Sequence, residues 1–329
     1  MRKMQRVPII LLCYLVVNLF GCGGQSGNKE VVLKLGHGLD TTHPVHKAMV
    51  FMSERAQEQS AGQLRIEIYP NEQLGSERES LEQLQLGALP MTKTSSGPME
   101  SFVPAMKVFG MPYLFRDSQH MQNVLQGEIG KELLQAGESK GLKGLCYYDA
   151  GARSFYTSAK PVHQPEDLKG LKIRVMKSEM GLKMIEAMGG SPTPIDWGEL
   201  YTSLQQGVVD GAENNPPSFV TARHYETCKY YSLDEHLRLP DVLLISTAVW
   251  NKLSPEHQQI LTVSAQESAD YQRKLWVEME QASLAKAKEA GVTIIVPDKE
   301  PFRKSVEALW TEFEDTEIGQ MAKRIQAVQ

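Results

Sequence analysis

The helical pattern that opens at Ser254-Pro255 and runs to Ala290 constrains the fold more than any other stretch of this chain. A hydroxyl residue followed by proline is a start signal, and Gly291 just past the end is a stop signal. About 36 residues at a rise of 1.5 Å make a rod of ~54 Å. That exceeds one small domain, so the pattern predicts a helix lying across two.

Upstream, strand and helix signals alternate. Residues 31–35 read as a short apolar strand. Pro44 takes a first-turn position, and Val45, Ala48, Met49, Met52 and Ala56 follow at helical spacing until Gly62. Leu64, Ile66 and Ile68 alternate with Arg65, Glu67 and Tyr69 as a strand. Ser76 and Glu79 have capping-box spacing ahead of Leu81 and Leu84, and residues 89–92 read as another strand. This β-α-β-α-β order predicts a parallel sheet with helices on its faces.

The middle of the chain repeats that logic. Strands are expected at 144–148, at 154–157 and at the end of 168–175. Met180, Met184, Ala187 and Met188 mark a helix, Asp196 and Glu199 a second capping pair, and residues 241–249 a strong apolar strand. After the long helix come a strand at 292–296 and a closing helix carrying Val306, Leu309, Trp310 and Phe313. The expected class is α/β, with two interleaved domains joined by crossings that make a hinge, and a ligand crevice at the strands' carboxyl ends. Residues 31–150 with about 240–277 form one domain; residues 151–239 with about 278–329 form the other.

Residues 1–22 are set aside as a leader. Arg2, Lys3 and Arg6 precede an almost wholly apolar run ending at Phe20, too short to span a bilayer, which takes roughly 20 residues. Leu19-Phe20-Gly21-Cys22 resembles a lipobox, which makes Cys22 a lipid-attachment site and residues 23–30 a tether. The other reading is ordinary secretion, cut near Gly23-Gly24. An extracytoplasmic location follows either way, and no second apolar run of spanning length appears.

The net charge of −5 speaks against a nucleic-acid partner, which would need a basic face. It does not speak against an anionic ligand, because one or two buried arginines set the local potential of a site. Cys146 and Cys228 lie in strand-like runs; they either pair in an oxidising compartment or are simply buried.

Arg153 and Arg174 each sit at or near a strand edge, and a guanidinium fork fits a carboxylate bidentately; the alternative for either is a solvated surface arginine. Asn214 lies in a polar loop over 212–217 that Pro216 and Pro217 stiffen, and such a loop either projects an amide into a cleft or is a surface turn. Trp197 stands beside a helix start, placed to stack on a sugar ring or to pack in the core. Glu77 is placed to accept hydroxyl hydrogen bonds or merely to favour a helix N-terminus. His37, His43 and His46 lack the cysteine or carboxylate cluster that would complete a metal site, so neither metal nor cofactor is expected. The chain also lacks G-x-S-x-G, H-E-x-x-H, the P-loop and G-x-G-x-x-G, which weakens an enzymatic reading.

The strings Tyr69-Pro-Asn-Glu-Gln-Leu-Gly-Ser-Glu-Arg-Glu79, Met111-Pro-Tyr-Leu-Phe115, Gly170-Leu-Lys-Ile-Arg-Val175, Gly189-Gly-Ser-Pro-Thr-Pro194 and Glu199 through Gly211 follow in order along the chain. Together they resemble the DctP family, the extracytoplasmic solute receptors of TRAP transporters. That resemblance implies a periplasmic-binding-protein-like fold that closes over an organic acid. It also implies delivery to a membrane permease of a small and a large subunit, driven by a sodium gradient. Arg174 matches the family's central carboxylate-binding arginine, Arg153 a supporting one, and Asn214 an amide that contacts the ligand. Trp197 stands where relatives often carry phenylalanine.

The strings around 149–156 and 210–218 look like the branch that includes receptors for hexuronates such as glucuronate and galacturonate. A uronate needs hydroxyl partners besides its clamp, and Glu77, His37, Asp149 and Asn214 are the candidates. The rival readings are a receptor for another carboxylate (a dicarboxylate, aldonate or keto acid), a receptor for an ABC importer, a sugar-acid lyase or hydrolase, and a partner of a sensor.

Overall fold

The computed structural model describes residues 30–329; the leader, Cys22 and residues 23–29 of the tether lie outside the described residues. The first elements are β1 (Val31–Gly36), α1 (Pro44–Gln59), β2 (Leu64–Tyr69), α2 (Glu77–Gln85), β3 (Met91–Ser95), α3 (Ser96–Met99), α4 (Ser118–Gln126), α5 (Glu128–Gln135) and β4 (Leu142–Tyr148). Next come β5 (Arg153–Thr157), β6 (Lys172–Val175), α6 (Glu179–Ala187), β7 (Ser191–Pro194), α7 (Trp197–Gln205), β8 (Gly211–Asn214), α8 (Pro216–Thr221) and β9 (Tyr230–Leu237). The chain ends through β10 (Asp241–Ser246), α9 (Thr247–Trp250), α10 (Pro255–Glu289), β11 (Thr293–Ile295), α11 (Glu300–Ser305), α12 (Glu307–Phe313) and α13 (Glu317–Gln326).

Two sheets result, ordered β2-β1-β3-β10-β4 and β11-β9-β5-β8-β6-β7. They are mixed, not purely parallel. In the first, β10 runs antiparallel to β3 and β4; in the second, β5 runs antiparallel to β8 and β9. Both exceptions have one cause. The chain crosses between the sheets after β4 and returns after β9, and a strand entered directly from the other sheet arrives pointing the opposite way.

The long helix is the third link. Ser254 Oγ accepts the His257 amide at 3.2 Å, Pro255 opens the first turn, and Gly291 (φ +82°) follows the end. Its first half packs on α1 and β4, its second on α8. Small buried residues on the contact face, among them Ser264, Ala265, Ser268, Ala269, Ser283 and Ala287, permit that close approach. One apolar core also runs beneath both halves, joining Val108 and Phe109 to Phe155, Met180 and Met184.

Several expectations are corrected. The polar run 212–217 is the end of a buried strand and the start of a helix, not a loop: Asn215 caps α8 by accepting the Ser218 amide at 2.8 Å. Asp196 precedes α7 but makes no side-chain cap, because its carboxylate accepts from Lys177 at 2.6 Å instead. The apolar strand from 241 stops at Ser246, and the single closing helix is three short ones. Cys146 and Cys228 are both unpaired and buried, and burial pushes each thiol up to about 12. Among the described residues no helix is long and apolar enough to cross a membrane.

Candidate functional site

The strand ends of the two sheets meet at a cavity lined by Arg153, Arg174, Met176, Trp197, Asn214, Asn215 and Ser218 on the second-sheet side. Gly38, Leu39, His43, Glu77, Lys93, Ser95 and Asp241 line it from the first. β6 and β8 pair in parallel, with Arg174 in register with Ala212, two residues before Asn214. β5 arrives antiparallel on the other side of β8 and starts at Arg153, so both arginines flank the carboxyl end of one strand.

The two arginines are in different electrostatic states. Arg153 is 4% exposed and already satisfied: Nε donates to Glu213 Oε2 at 2.5 Å, Nη2 to Oε1 at 2.8 Å, and Nη1 to Asn214 Oδ1 at 2.9 Å. Burial alone would raise the Glu213 carboxyl, but Arg153 and His236 overrule it and hold it at about 2. His236 stands 2.7 Å from Asp234 and 3.5 Å from Glu213; burial opposes its charge, yet these carboxylates raise it to about 9. The chain Arg153–Glu213–His236–Asp234 thus balances two positive against two negative charges.

Arg174 is 2% exposed and has no acidic partner within ion-pair distance among the described residues. Its Nε donates to the Ile195 carbonyl at 2.8 Å, and its guanidinium lies 5.7 Å from the Trp197 ring centre. Nη1 is buried without a hydrogen-bond partner, and burial pulls the pKa of the group down. A buried cation without a counter-charge is costly, and an anion delivered to it removes that cost.

Facing it is a polar floor. Lys93 Nζ lies 3.2 Å from Asp241 and 3.3 Å from Glu77, whose Oε1 also accepts the Ser95 amide at 2.9 Å. Burial works against the Lys93 charge, but Asp241 and Glu77 raise its pKa. His43 Nδ1 accepts the Val45 amide, and Nε2 meets Ser218 Oγ at 3.2 Å, a link between the two halves. Burial holds this imidazole well below its ordinary range, so it is neutral and Nε2 carries the proton.

Of the residues expected from sequence, Arg174, Arg153, Asn214, Trp197 and Glu77 come together at this cavity. Asn214 Oδ1 is occupied by Arg153 and by the Asn215 amide at 2.9 Å, which leaves its NH₂ as the group to offer a ligand. Two candidates do not join them. His37 is buried beside the cavity, its Nε2 3.0 Å from His46 Nδ1 and its Nδ1 accepting the Leu39 amide. Asp149 is in the crossing segment, where it accepts the Gly151 amide at 2.8 Å and borders a separate hollow with Gln122 and Arg273. Its backbone is clamped by Gln272 of α10, so it secures the crossing. Lys93, Asp241 and Ser218 escaped sequence reasoning, and His43 was weighed only as a metal ligand; the Asp241 that opens an apolar strand was the available signal. Among the described residues no group of three His, Cys, Asp or Glu is arranged to hold a metal.

The family model for bacterial extracellular solute-binding proteins, family 7 (DctP), matches residues 35–316. A TRAP periplasmic solute-binding protein of Xanthobacter autotrophicus with bound β-D-galacturonate is 43% identical, with a TM-score of 0.87 over 90% of this chain and 100% of that one. One from Pseudomonas putida F1 with bound D-glucuronate is 39% identical, with a TM-score of 0.87 over 91% and 98%. The 2,3-diketo-L-gulonate-binding periplasmic protein YiaO of Escherichia coli is 35% identical over 80% of both chains. The chain belongs to the DctP family of extracytoplasmic solute receptors that serve TRAP transporters.

Proposed function

We propose that this receptor captures a hexuronate such as glucuronate or galacturonate and hands it to a sodium-coupled TRAP permease. The observation that carries the reading is Arg174: a buried guanidinium with no acidic ion-pair partner among the described residues and an unsatisfied Nη1, at the carboxyl end of a strand. A carboxylate fits that fork, while Glu77, Lys93, Asp241 and the Asn214 amide offer the mixed donors and acceptors that several hydroxyls require. Trp197 supplies a stacking face. Arg153 supports the site indirectly, fixing Asn214 through Nη1. Similar proteins with bound galacturonate and glucuronate point to the same ligand class. Acylation of Cys22 would keep the receptor at the membrane, and residues 31–150 with about 240–277 would move as one domain against the rest.

The test is thermal unfolding of the mature chain against uronates, aldonates, C4-dicarboxylates, keto sugar acids and the matching neutral sugars. A ligand that binds only the native state raises the midpoint by mass action. A rise with uronates and none with neutral sugars supports the reading. A rise with keto sugar acids or dicarboxylates alone keeps the receptor and discards the uronate.

A further inference from the structure

Beside Arg174 a second buried polar atom lacks a hydrogen-bond partner, Glu72 Oε1. Glu72 lies in the turn between β2 and α2 with its backbone in the left-handed region (φ +56°), directly after Asn71, which is also left-handed (φ +54°). Non-glycine residues there are uncommon and persist when the surroundings dictate them. Here the Glu72 amide donates to the His37 carbonyl at 3.0 Å and the Asn71 amide to Leu39 at 3.2 Å. The turn is thereby bound to the strand end that carries Gly38, a wall of the cavity.

The side chain reaches the opposite half: Oε2 accepts the Gly198 amide in the first turn of α7 at 2.9 Å. Two glycines make the room. A Cβ at Gly198 would stand 2.4 Å from Glu72 Oε2, and a Cβ at Gly38 would stand 3.4 Å from Oε1 and 3.3 Å from Trp197 Cδ1. Oε1 is therefore at the Gly38–Trp197 edge of the cavity. Glu72, Glu77, Trp197 and Arg174 also share an adjoining hollow. Glu72 and Arg174 are not an ion pair, yet each lies in the other's field, and burial raises the Glu72 carboxyl to about 7.

We propose that Glu72 is a specificity-determining residue: Oε1 accepts a hydroxyl hydrogen of the bound sugar acid while Oε2 stays on the Gly198 amide. One carboxylate then reads the ligand and fastens one half to the other. In its ionised form the same carboxylate disfavours a ligand with a second carboxylate at that end. The assignment rests on the uronate reading above and goes beyond the clamp at Arg174.

The experiment is calorimetric titration of the mature parent, Glu72→Gln and Glu72→Ala with D-glucuronate and with succinate, beside stopped-flow dissociation. Glu72→Ala should weaken D-glucuronate by about tenfold or more, the usual size for a hydrogen bond to a charged group, mainly through faster dissociation. Glu72→Gln should lose less, because its amide oxygen can still accept. In both variants the ratio of succinate to glucuronate affinity should rise, which a merely structural role would not produce. Parent affinity, parent dissociation rate and unchanged selectivity in both variants overturn the assignment alone. A parent that ignores D-glucuronate overturns the uronate reading and the assignment with it. Unfolding midpoints of the ligand-free variants near the parent's establish that the fold is intact.

Discussion

Arg153 and Glu213 form a two-pronged ion pair at 2.5 and 2.8 Å, each less than 5% exposed, whereas Arg174, on the other flank of the same strand, has no carboxylate within ion-pair distance among the described residues. Two arginines of one site thus do different work. The first is neutralised within the protein and builds the strand end that presents Asn214. The second carries a charge that no acidic side chain among the described residues pairs with. Removing each should have a separable signature.

Arg174→Ala should weaken binding of the carboxylate ligand severely. Truncating one partner of a buried, charge-assisted pair costs about 2–5 kcal/mol, or ~30-fold to more than 1000-fold in Kd. The ligand-free unfolding midpoint should stay within about 3 °C of the parent, since the change also removes an unpaired buried charge. Arg174→Lys keeps the charge but loses the fork and should bind at an intermediate level. Calorimetric titration checks the two affinities and thermal unfolding the midpoint, and parent-like affinity in Arg174→Ala would remove the clamp from its assigned place.

Arg153→Ala should behave in the opposite way, lowering stability first. It leaves Glu213 as a buried carboxylate whose remaining ion-pair partner among the described residues is His236, and breaking such a pair from one side costs about 3–5 kcal/mol. Adding Glu213→Gln should recover part of that loss. Urea unfolding of the two single variants and the double gives the coupling; simple additivity would show that the pair is not what holds the strand end.

Which of these features can be read from the chain depends on how local their causes are. The bounds of α10 were legible because a serine, a proline and a terminal glycine mark them within a few residues. Arg174 was legible because its strand motif is contiguous. The run Ala212 to Asn214 looked like a loop because its polar side chains find their partner on Arg153, some sixty positions upstream, and nothing local announces it. β7 contains Pro192 and Pro194, a composition that gives no strand signal; it stands as an edge strand, where a missing amide breaks no ladder. Lys93 drew no notice because its two counter-charges, Glu77 and Asp241, come from a helix start and from the returning strand. Asp149 and His37 were chosen for chemistry alone, and the backbone crossing and a neighbouring imidazole claim them instead.

Glu100 gives a pH dependence with a definite sign. It accepts from Ser178 Oγ at 2.8 Å and from the Met180 amide at 3.2 Å, linking α3 to the start of α6, and burial raises its carboxyl to about 7 from an ordinary 4.5. Between those values the unfolded chain has already released the proton that the folded chain retains. This group's contribution therefore falls as pH rises from about 4.5 to 7 and stays lower above that. Glu100→Gln has no proton to lose, and it can serve the same contacts, with its oxygen on the Met180 amide and its NH₂ on Ser178. Its stability relative to the parent should rise by about 2 kcal/mol from pH 5 to pH 8. Urea midpoints of both proteins across that range are the check, and a flat difference would show that the carboxyl is not buried as described.

The hinge offers the last comparison. Gly151, in the crossing from β4 to β5, has φ +59°, and a Cβ there would stand 2.8 Å from Nε1 of Trp276 on the long helix. Gly207 after α7 has φ +69° with nothing within 4 Å of such a Cβ. Alanine at Gly207 meets only the left-handed backbone penalty, about 1 kcal/mol. Alanine at Gly151 meets that penalty and must also displace a buried indole, for a total of about 2–4 kcal/mol. Trp276 packs edge-on against His43 at 5.9 Å, and His43 reaches Ser218 across the cleft. Gly151→Ala should therefore weaken ligand binding as well as lower the unfolding midpoint, whereas Gly207→Ala should lower the midpoint slightly and leave affinity alone. Equal midpoints for the two variants would mean that the crossing has slack, and that the indole does not set how the halves meet.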